Sequence, residues 1–445
     1  MACLSTAPER GTAIAIALAT MLWASPVPAS QTLPLSALTT RPTDSTLSLH
    51  ALYDAVDRSN PRLRAATELA RAAAARISGA TKPPDPQIQV GLMNYMLPQL
   101  TPDAALGMRQ VQLMQMVPLP GKLAAAGDAA RARAQAAGAR TTEVRWEIRS
   151  ATAMAFYELW AARARIDIAA ETRRLLENAA AVATAMYRVG DGRQADVLRA
   201  RVEIARMDEE IIRMQVMADA AHARIAAAVD LQADAVRGRP VLPVFPDSLP
   251  ARDELEAIAL RARPMLAAGA ADVRAATADE RLARRERWPD IQVGVQYGER
   301  GMPLGTTDRM GSLMIGATLP VFARSRQLPM RVEAAAMRAM TEADLRAMRA
   351  DTRARVAEVH ADLGRARRLG ALYRLTVLPL AEAAAASALA SYRSGAVDFM
   401  TVLENRMTVN RYHEELVTLT ADEGRAWAEL EMLLSRALLA PAGTR

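Results

Sequence analysis

The sequence predicts a mainly α-helical fold, internally duplicated, with long helical hairpins and a pair of short β-strands in each half. Three observations carry that prediction. The first is a repeat: Pro86, Ile88, Gln89, Val90 and Gly91 return, at one constant spacing, as Pro289, Ile291, Gln292, Val293 and Gly294. The same spacing superposes Pro61 and Leu63 on Pro264 and Leu266. Farther along, Tyr187-Arg188-Val189-Gly190 with Val197-Leu198 matches Tyr392-Arg393-Ser394-Gly395 with Val402-Leu403, at a spacing two residues longer. The second observation is composition. Hydrophobic residues make up 51% of the 445, yet aromatics only 4%, with four Phe. Large sandwich and Rossmann-type cores fill volume with aromatics, whereas an Ala-, Leu- and Arg-rich chain suits long helices whose backbones approach closely. The third is the alternation of apolar and polar residues that follows each Pro-x-Ile-Gln-Val-Gly run.

Taken in order, residues 1–29 read as a signal peptide. Arg10 precedes an apolar run from Thr12 to Trp23, and Val27-Pro28-Ala29 offers small residues before a cut ahead of Ser30. Cys3, the one cysteine, leaves with it, so the mature chain holds no disulfide. Residues 30–48 form an extended arm. The first repeat occupies 49–237 and opens with a helix from about Leu49 to Ile77. Strands follow at about 86–97 and 107–117, then a hairpin of two long helices whose tip lies near 187–198, turning at Gly190-Asp191-Gly192. From Lys122 to Tyr187 there is no Pro and the apolar spacing is helical, which makes that segment a rod of about 100 Å at about 1.5 Å per residue. Residues 238–252, rich in Pro, are a linker. The second repeat, 253–438, has a helix from about Asp253 to Arg287 and strands at about 289–298 and 311–321. Its helical hairpin has its tip near 392–403, breaks expected at Pro329 and Pro379, and a last helix from about Phe399 to Leu438. Residues 439–445 are a tail.

In the strands, Ile291, Val293, Val295 and Tyr297 interleave with Gln292, Gly294 and Gln296, and Ile88, Val90 and Leu92 with Gln89 and Gly91. One apolar and one polar face on strands of about ten residues suit the wall of an outer-membrane barrel. Four strands cannot close, and an open edge in hydrocarbon leaves backbone groups without partners. Three copies supply a twelve-stranded barrel, with the rods beneath it forming an α-helical barrel.

These features together resemble the outer-membrane factor (TolC-like outer membrane efflux protein) family. The carriers are the duplication, the paired strands and the two Tyr-Arg-x-Gly-x6-Val-Leu segments, similar to the family's periplasmic hairpin tips. Val117-Pro118-Leu119-Pro120-Gly121-Lys122 further resembles its cation-efflux branch. The resemblance implies a homotrimer in outer-membrane lipid. It also implies a periplasmic adaptor (membrane fusion) protein as partner and, beyond it, an inner-membrane pump of the RND type. It implies docking of the adaptor on Arg188, Val189, Gly190, Val197, Leu198, Arg393, Gly395 and Leu403, and a periplasmic gate at Asp196, Tyr392 and Glu404. Val397 and Thr401 stand where the best-known member has an arginine and an aspartate, so that member's closing salt bridges are not carried over.

No chemistry competes with the duct. His50, His222, His360 and His413 lack partners at zinc spacing and read as helix-surface residues, and no phosphate loop or nucleophile elbow is present. Neither an enzyme nor a cofactor or metal site is predicted. The charge of +7 is carried by arginines interspersed with acids, which argues against a nucleic-acid partner. Met93, Met114, Met116 and Met314 fall on the polar strand face. A thioether path for Cu(I) or Ag(I) is one reading of them, and flexible filler, in a chain with 23 Met, is the preferred one. The function alternatives are a type I protein-secretion duct and a periplasmic coiled-coil scaffold without transport. The lipid-facing strand parity separates the duct from the scaffold.

Overall fold

The computed structural model describes residues 46–440, apart from 97, 99–100, 104–106, 234 and 302–305. The chain divides into the segment Met1–Thr43 and one unit, Asp44–Arg445. The expected signal peptide with Cys3, the arm as far as residue 45, the strand connections in part and the tail beyond residue 440 lie outside the described residues.

The expected opening helix is two helices. β1 (Thr46–Ser48) leads into α1 (Leu49–Ser59) and α2 (Pro61–Ala80), and between them Asn60 is extended at φ −61° and ψ 123°. The second half breaks at the matching residue, Arg263 (φ −63°, ψ 120°), between α5 (Arg252–Ala262) and α6 (Pro264–Arg285). Pro61 and Pro264 are the cause. A proline ring disfavours helical backbone in the residue before it, yet fits the first turn of the helix it opens.

Four strands form one antiparallel sheet: β2 (Gln87–Met93), β5 (Met108–Val117), β7 (Ile291–Gly301) and β8 (Thr307–Ala317), in the order β2-β5-β7-β8. The two halves are thus joined through β5 and β7. The first strand stops short of its expected end because Asn94, at φ 54°, turns the chain into the small ladder of β3 (Tyr95–Met96) and β4 (Thr101–Pro102). The last strand ends before its expected limit. Pro320 has no N–H to donate to a ladder, and a tight turn there puts Val321 N on Leu319 O.

Register sorts the two faces. Ile88, Leu113, Val295 and Leu313 form one row and Val90, Val111 and Tyr297 the next, all on one side. Gln89, Gln112, Gln296 and Ser312 face the other way, with Met114 and Met314 beside them. The apolar face is bare: Val90 is 77% and Ile315 74% exposed. Burying a side chain of that size is worth about 1.5–3 kcal/mol, a gain this face does not realise within the single chain. β2 and β8 remain edges, and no closed sheet occurs among the described residues.

Below the sheet run the rods. α3 (Lys122–Arg188) has 67 residues and α4 (Gln194–Ala228) returns beside it. Asn60 Nδ2 donates to Ala228 O at 2.7 Å and Ser59 Oγ to Val229 O at 2.8 Å, so α2 begins where α4 ends and the two stack along α3. In the second half α7 (Gln327–Leu372) passes through a π-helical turn (Tyr373–Val377) into α8 (Leu378–Arg393), and α9 (Phe399–Leu434) returns. Neither expected proline break occurs. Pro329 lies in the first turn, where its missing N–H has no helical partner to lose. The widened π turn takes up Pro379, whose ring would clash with a carbonyl of the preceding turn. α9 stops at Leu434, before the expected Leu438. Ser435 turns left-handed (φ 50°), and the buried Glu431 carboxylate accepts the N–H groups of Leu438 and Leu439 at 2.6 and 2.9 Å.

Several of the few aromatics gather at one level of the bundle. Tyr53, Phe156, Tyr157 and Trp427 pack with Leu159, Ile225, Leu255, Leu363 and Leu430 into a core where α1, α3, α4, α5, α7 and α9 meet. β1 pairs there in parallel with β6 (Arg239–Val241), which lies in the segment expected as a linker. Elsewhere the rods touch through alanines such as Ala129, Ala132 and Ala136. At the junction with the sheet, Lys122 is buried, with Nζ on Asp290 Oδ1 at 2.8 Å and on Trp288 O at 3.0 Å.

Candidate functional site at the hairpin tips

The end of the rods remote from the sheet consists of two turns with related sequences. In the first, α3 ends through Val189 and Gly190, and Asp191 N and Gly192 N both donate to Met186 O at 3.0 and 3.1 Å. In the second, α8 ends through Ser394 and Gly395, and Ala396 N donates to Ser391 O at 2.9 Å. Gly190 (φ 89°) and Gly395 (φ 71°) take the left-handed position that closes a helix. A side chain at either would have open space, so backbone conformation and not crowding within the chain requires glycine there. Gly192 is different. A Cβ there would lie 2.8 Å from the Tyr187 backbone nitrogen.

The helices that return from the two turns start differently. Arg193 stands at the cap of α4 and supplies no side-chain bond, leaving Asp196 in the first turn as the acidic group facing the positive end of the helix. α9 is capped by Asp398, which accepts from Thr401 N at 3.0 Å and Thr401 Oγ1 at 2.9 Å. Those two bonds, and then Arg193 and Arg199 of the first hairpin, hold the Asp398 carboxyl below the usual carboxylate range. The spacing Asp398-x-x-Thr401 before a helix is a readable cap signal. The two arginines become relevant only once the hairpins are side by side.

Between the tips Tyr392, Phe399, Val402 and Leu403 pack with Leu176, Ala183, Ala200 and Met207. The Tyr392 and Phe399 rings lie 5.5 Å apart and steeply inclined. Burial, and then the nearby charge of Asp196, raise the Tyr392 hydroxyl above its ordinary range; among the described residues its oxygen has no hydrogen-bond partner. Two of the three expected gate residues, Asp196 and Tyr392, therefore come together across the hairpins. Glu404 lies on an exposed face of α9. Of the expected docking residues, Arg188, Val189, Gly190, Leu198, Arg393 and Gly395 are exposed and Val197 is half-buried. Leu403, at 6% exposure, is not a surface residue: its side chain holds the second hairpin to the first.

Two histidines also depart from the surface reading. His50 lies 3.1 Å from Leu439 O, and burial lowers the half-buried His222 below the usual imidazole range. Among the described residues no three His, Cys, Asp or Glu side chains converge as a metal site.

A description of outer membrane efflux proteins matches residues 52–229 and again 257–436, one block in each half. The chain belongs to the outer membrane efflux protein family. It is an outer-membrane protein with a long periplasmic helical portion, of a family of transport ducts rather than enzymes. Its fold is similar to that of the outer-membrane channel OprN, with 20% identity over 88% of this chain and 90% of that one and a TM-score of 0.76. The channel-forming CusC is 17% identical over 87% and 92% of the two chains, with a TM-score of 0.75. The outer membrane protein VceC of Vibrio cholerae is 18% identical over 88% and 96%, with a TM-score of 0.73. No curated protein sequence matches the chain.

Proposed function

We propose that this outer membrane efflux protein is the passive exit duct of a tripartite system. Three copies close a twelve-stranded barrel through their β2 and β8 edges, over a tube made of the helical hairpins. The observation that carries this reading is the open four-stranded sheet, bare and apolar on one face, Gln-, Gly- and Ser-lined on the other, and free at both edges. A soluble scaffold would gain nothing from such a face. A periplasmic adaptor docks on the exposed tip residues Arg188, Val189, Gly190, Arg393 and Gly395, and an inner-membrane pump of the RND type drives the flow. The substrate class is heavy-metal cations or drugs. Asp196 and Glu404, each present three times about the axis, line the periplasmic mouth, with Tyr392 behind Asp196.

The test is edge-to-edge cross-linking. Cysteine pairs placed one on Gln87–Met93 and one on Thr307–Ala317 are expected to link copies into covalent trimers in outer-membrane fractions. Recovery of the chain as a soluble periplasmic monomer, without such links, overturns the duct.

A further inference from the structure

The outward face of the sheet does not stay apolar to its end. Two residues beyond the row of Val90, Val111 and Tyr297, toward the strand connections, stand Leu92, Arg109, Glu299 and Arg309 in register. Residues two apart on a strand share a face, so two guanidinium groups and one carboxylate stand on the same side as the bare apolar rows. Arg109 Nε donates to Tyr95 Oη at 3.2 Å. Arg309 Nε lies 3.5 Å from Glu299 Oε1, which also accepts from Tyr297 Oη at 2.7 Å. Each arginine is thus tethered through Nε. Among the described residues, the terminal nitrogens of both make no bond within the chain, and both side chains are exposed. Lying on β5 and β8 with β7 between, they stand about 10 Å apart at about 4.8 Å per strand.

The position of this row defines its surroundings. The helices leave the sheet at the Ile291 and Val117 end, so the row lies at the opposite, extracellular end. From Ile291 to Glu299 the strand climbs about 20 Å along the barrel axis, at about 3.4 Å per residue and about 40° tilt, which brings the row near the top of an apolar band about 25 Å tall. Tyr297 and Tyr95 lie at that level, as aromatics do where hydrocarbon gives way to headgroups. A guanidinium facing hydrocarbon is costly, whereas the same group among headgroups presents a planar fork that matches phosphate oxygens two at a time. With Glu299 between them the two arginines leave a net charge of +1 in each copy.

We propose that Arg109 and Arg309 form a binding site for the phosphate of a phosphorylated glycolipid in the outer leaflet, repeated three times around the barrel. The site rests on the membrane placement proposed above. Glu299 orients Arg309 and is not a ligand. Arg300, paired with Asp308 at 3.5 Å on the opposite, lumenal face, is the internal control.

The test counts lipid A molecules retained per purified trimer by native mass spectrometry, with dephosphorylated lipid A and inorganic phosphate as comparison probes. The parent is expected to retain lipid A. Arg109→Gln with Arg309→Gln should retain at least tenfold less while still fractionating as an outer-membrane trimer, and Arg300→Gln should match the parent. Equal retention by the double variant, or by the dephosphorylated lipid, overturns the proposal. Displacement of lipid A by millimolar inorganic phosphate that binds equally well on its own overturns the lipid assignment in favour of a free-anion site. Should the double variant not assemble, the single variants decide, each expected to lose retention severalfold. A parent chain that forms no membrane trimer contradicts the placement instead, so the two failures are distinguishable.

Discussion

The two hairpin tips share the pattern Tyr-Arg-x-Gly-x6-Val-Leu and have opposite surroundings. Tyr187 and Leu198 of the first are 47% and 53% exposed, and their counterparts Tyr392 and Leu403 in the second are both 6% exposed. The compared residues are identical, so the difference comes from what surrounds them, beginning with Phe399 against Tyr392 where the first tip has Gln194. The second tip also leans on the first, and among the described residues the corresponding flank of the first has no hairpin of its own chain to lean on. In the proposed trimer that flank would meet the second hairpin of the next copy, an interface between chains like the one inside the chain. The helix breaks show the same economy with different chemistry. Asn60 caps α2 with its own side chain, accepting from Arg62 N and Leu63 N at 2.9 and 3.2 Å. Arg263 has no acceptor to offer. Glu143 of α3 supplies one, taking Met265 N on one oxygen and Arg263 on the other, both at 3.0 Å, while Arg263 Nη1 reaches Thr352 Oγ1 at 2.9 Å.

The largest effect is expected at that borrowed cap. Arg263→Ala leaves Glu143, whose side chain is 2% exposed, as an uncompensated buried charge, at a cost of about 3–5 kcal/mol in thermal unfolding. The matching Asn60→Ala loses a self-made cap worth about 1–2 kcal/mol. Equal losses at the two sites would break the contrast. Next come the tips. Leu403→Ala should destabilise the isolated chain by about 2–5 kcal/mol, whereas Leu198→Ala should leave its unfolding unchanged and lower the trimer fraction on sizing columns. A Leu198→Ala variant that unfolds like Leu403→Ala would remove the inter-copy seam.

Smaller effects follow from charge. Asp196→Ala with Glu404→Ala, one residue from each tip, should weaken cation preference and multivalent-cation block in single-channel recordings without loss of trimer, because acidic rings at a narrow mouth draw cations. If selectivity and block persist, these carboxylates are surface charges. The smallest change concerns acid. Asp398 is held low in the folded tip, so its contribution is complete above the ordinary aspartate range, near pH 4, and is lost as pH falls through the lower folded value. Hydrogen exchange at the start of α9 should quicken there while the start of α4, which lacks such a cap, does not respond. Asp398→Asn should abolish the response.

Much of this was legible in the residues because it repeats or alternates. The strand parity of Ile291 to Tyr297, the rod after Lys122 and the left-handed glycines at Gly190 and Gly395 all follow from local rules of period and φ. The break at Asn60 was within reach of those rules, since Pro61 constrains the residue before it. What stayed hidden depends on distant partners. Glu143 and Arg263 lie 120 residues apart, and nothing in either segment announces that one completes the other's helix. The burial of Tyr392 against the exposure of Tyr187 is of the same kind. So is Lys122, which reads as part of a subfamily signature and turns out to tie the first rod to the start of β7.

The pairing of β5 with β7 also sets an order of events. Met108 lies opposite Arg300 and Val117 opposite Ile291, so the centre of the sheet joins strands from opposite halves of the chain. The two helices of one hairpin are near neighbours in sequence, whereas closing so long an intervening segment carries an entropy cost that local contacts do not. Each helical hairpin is therefore expected to pair before the sheet does. On that order the bare apolar surface comes into being late, when the rods that align β5 with β7 are already in place.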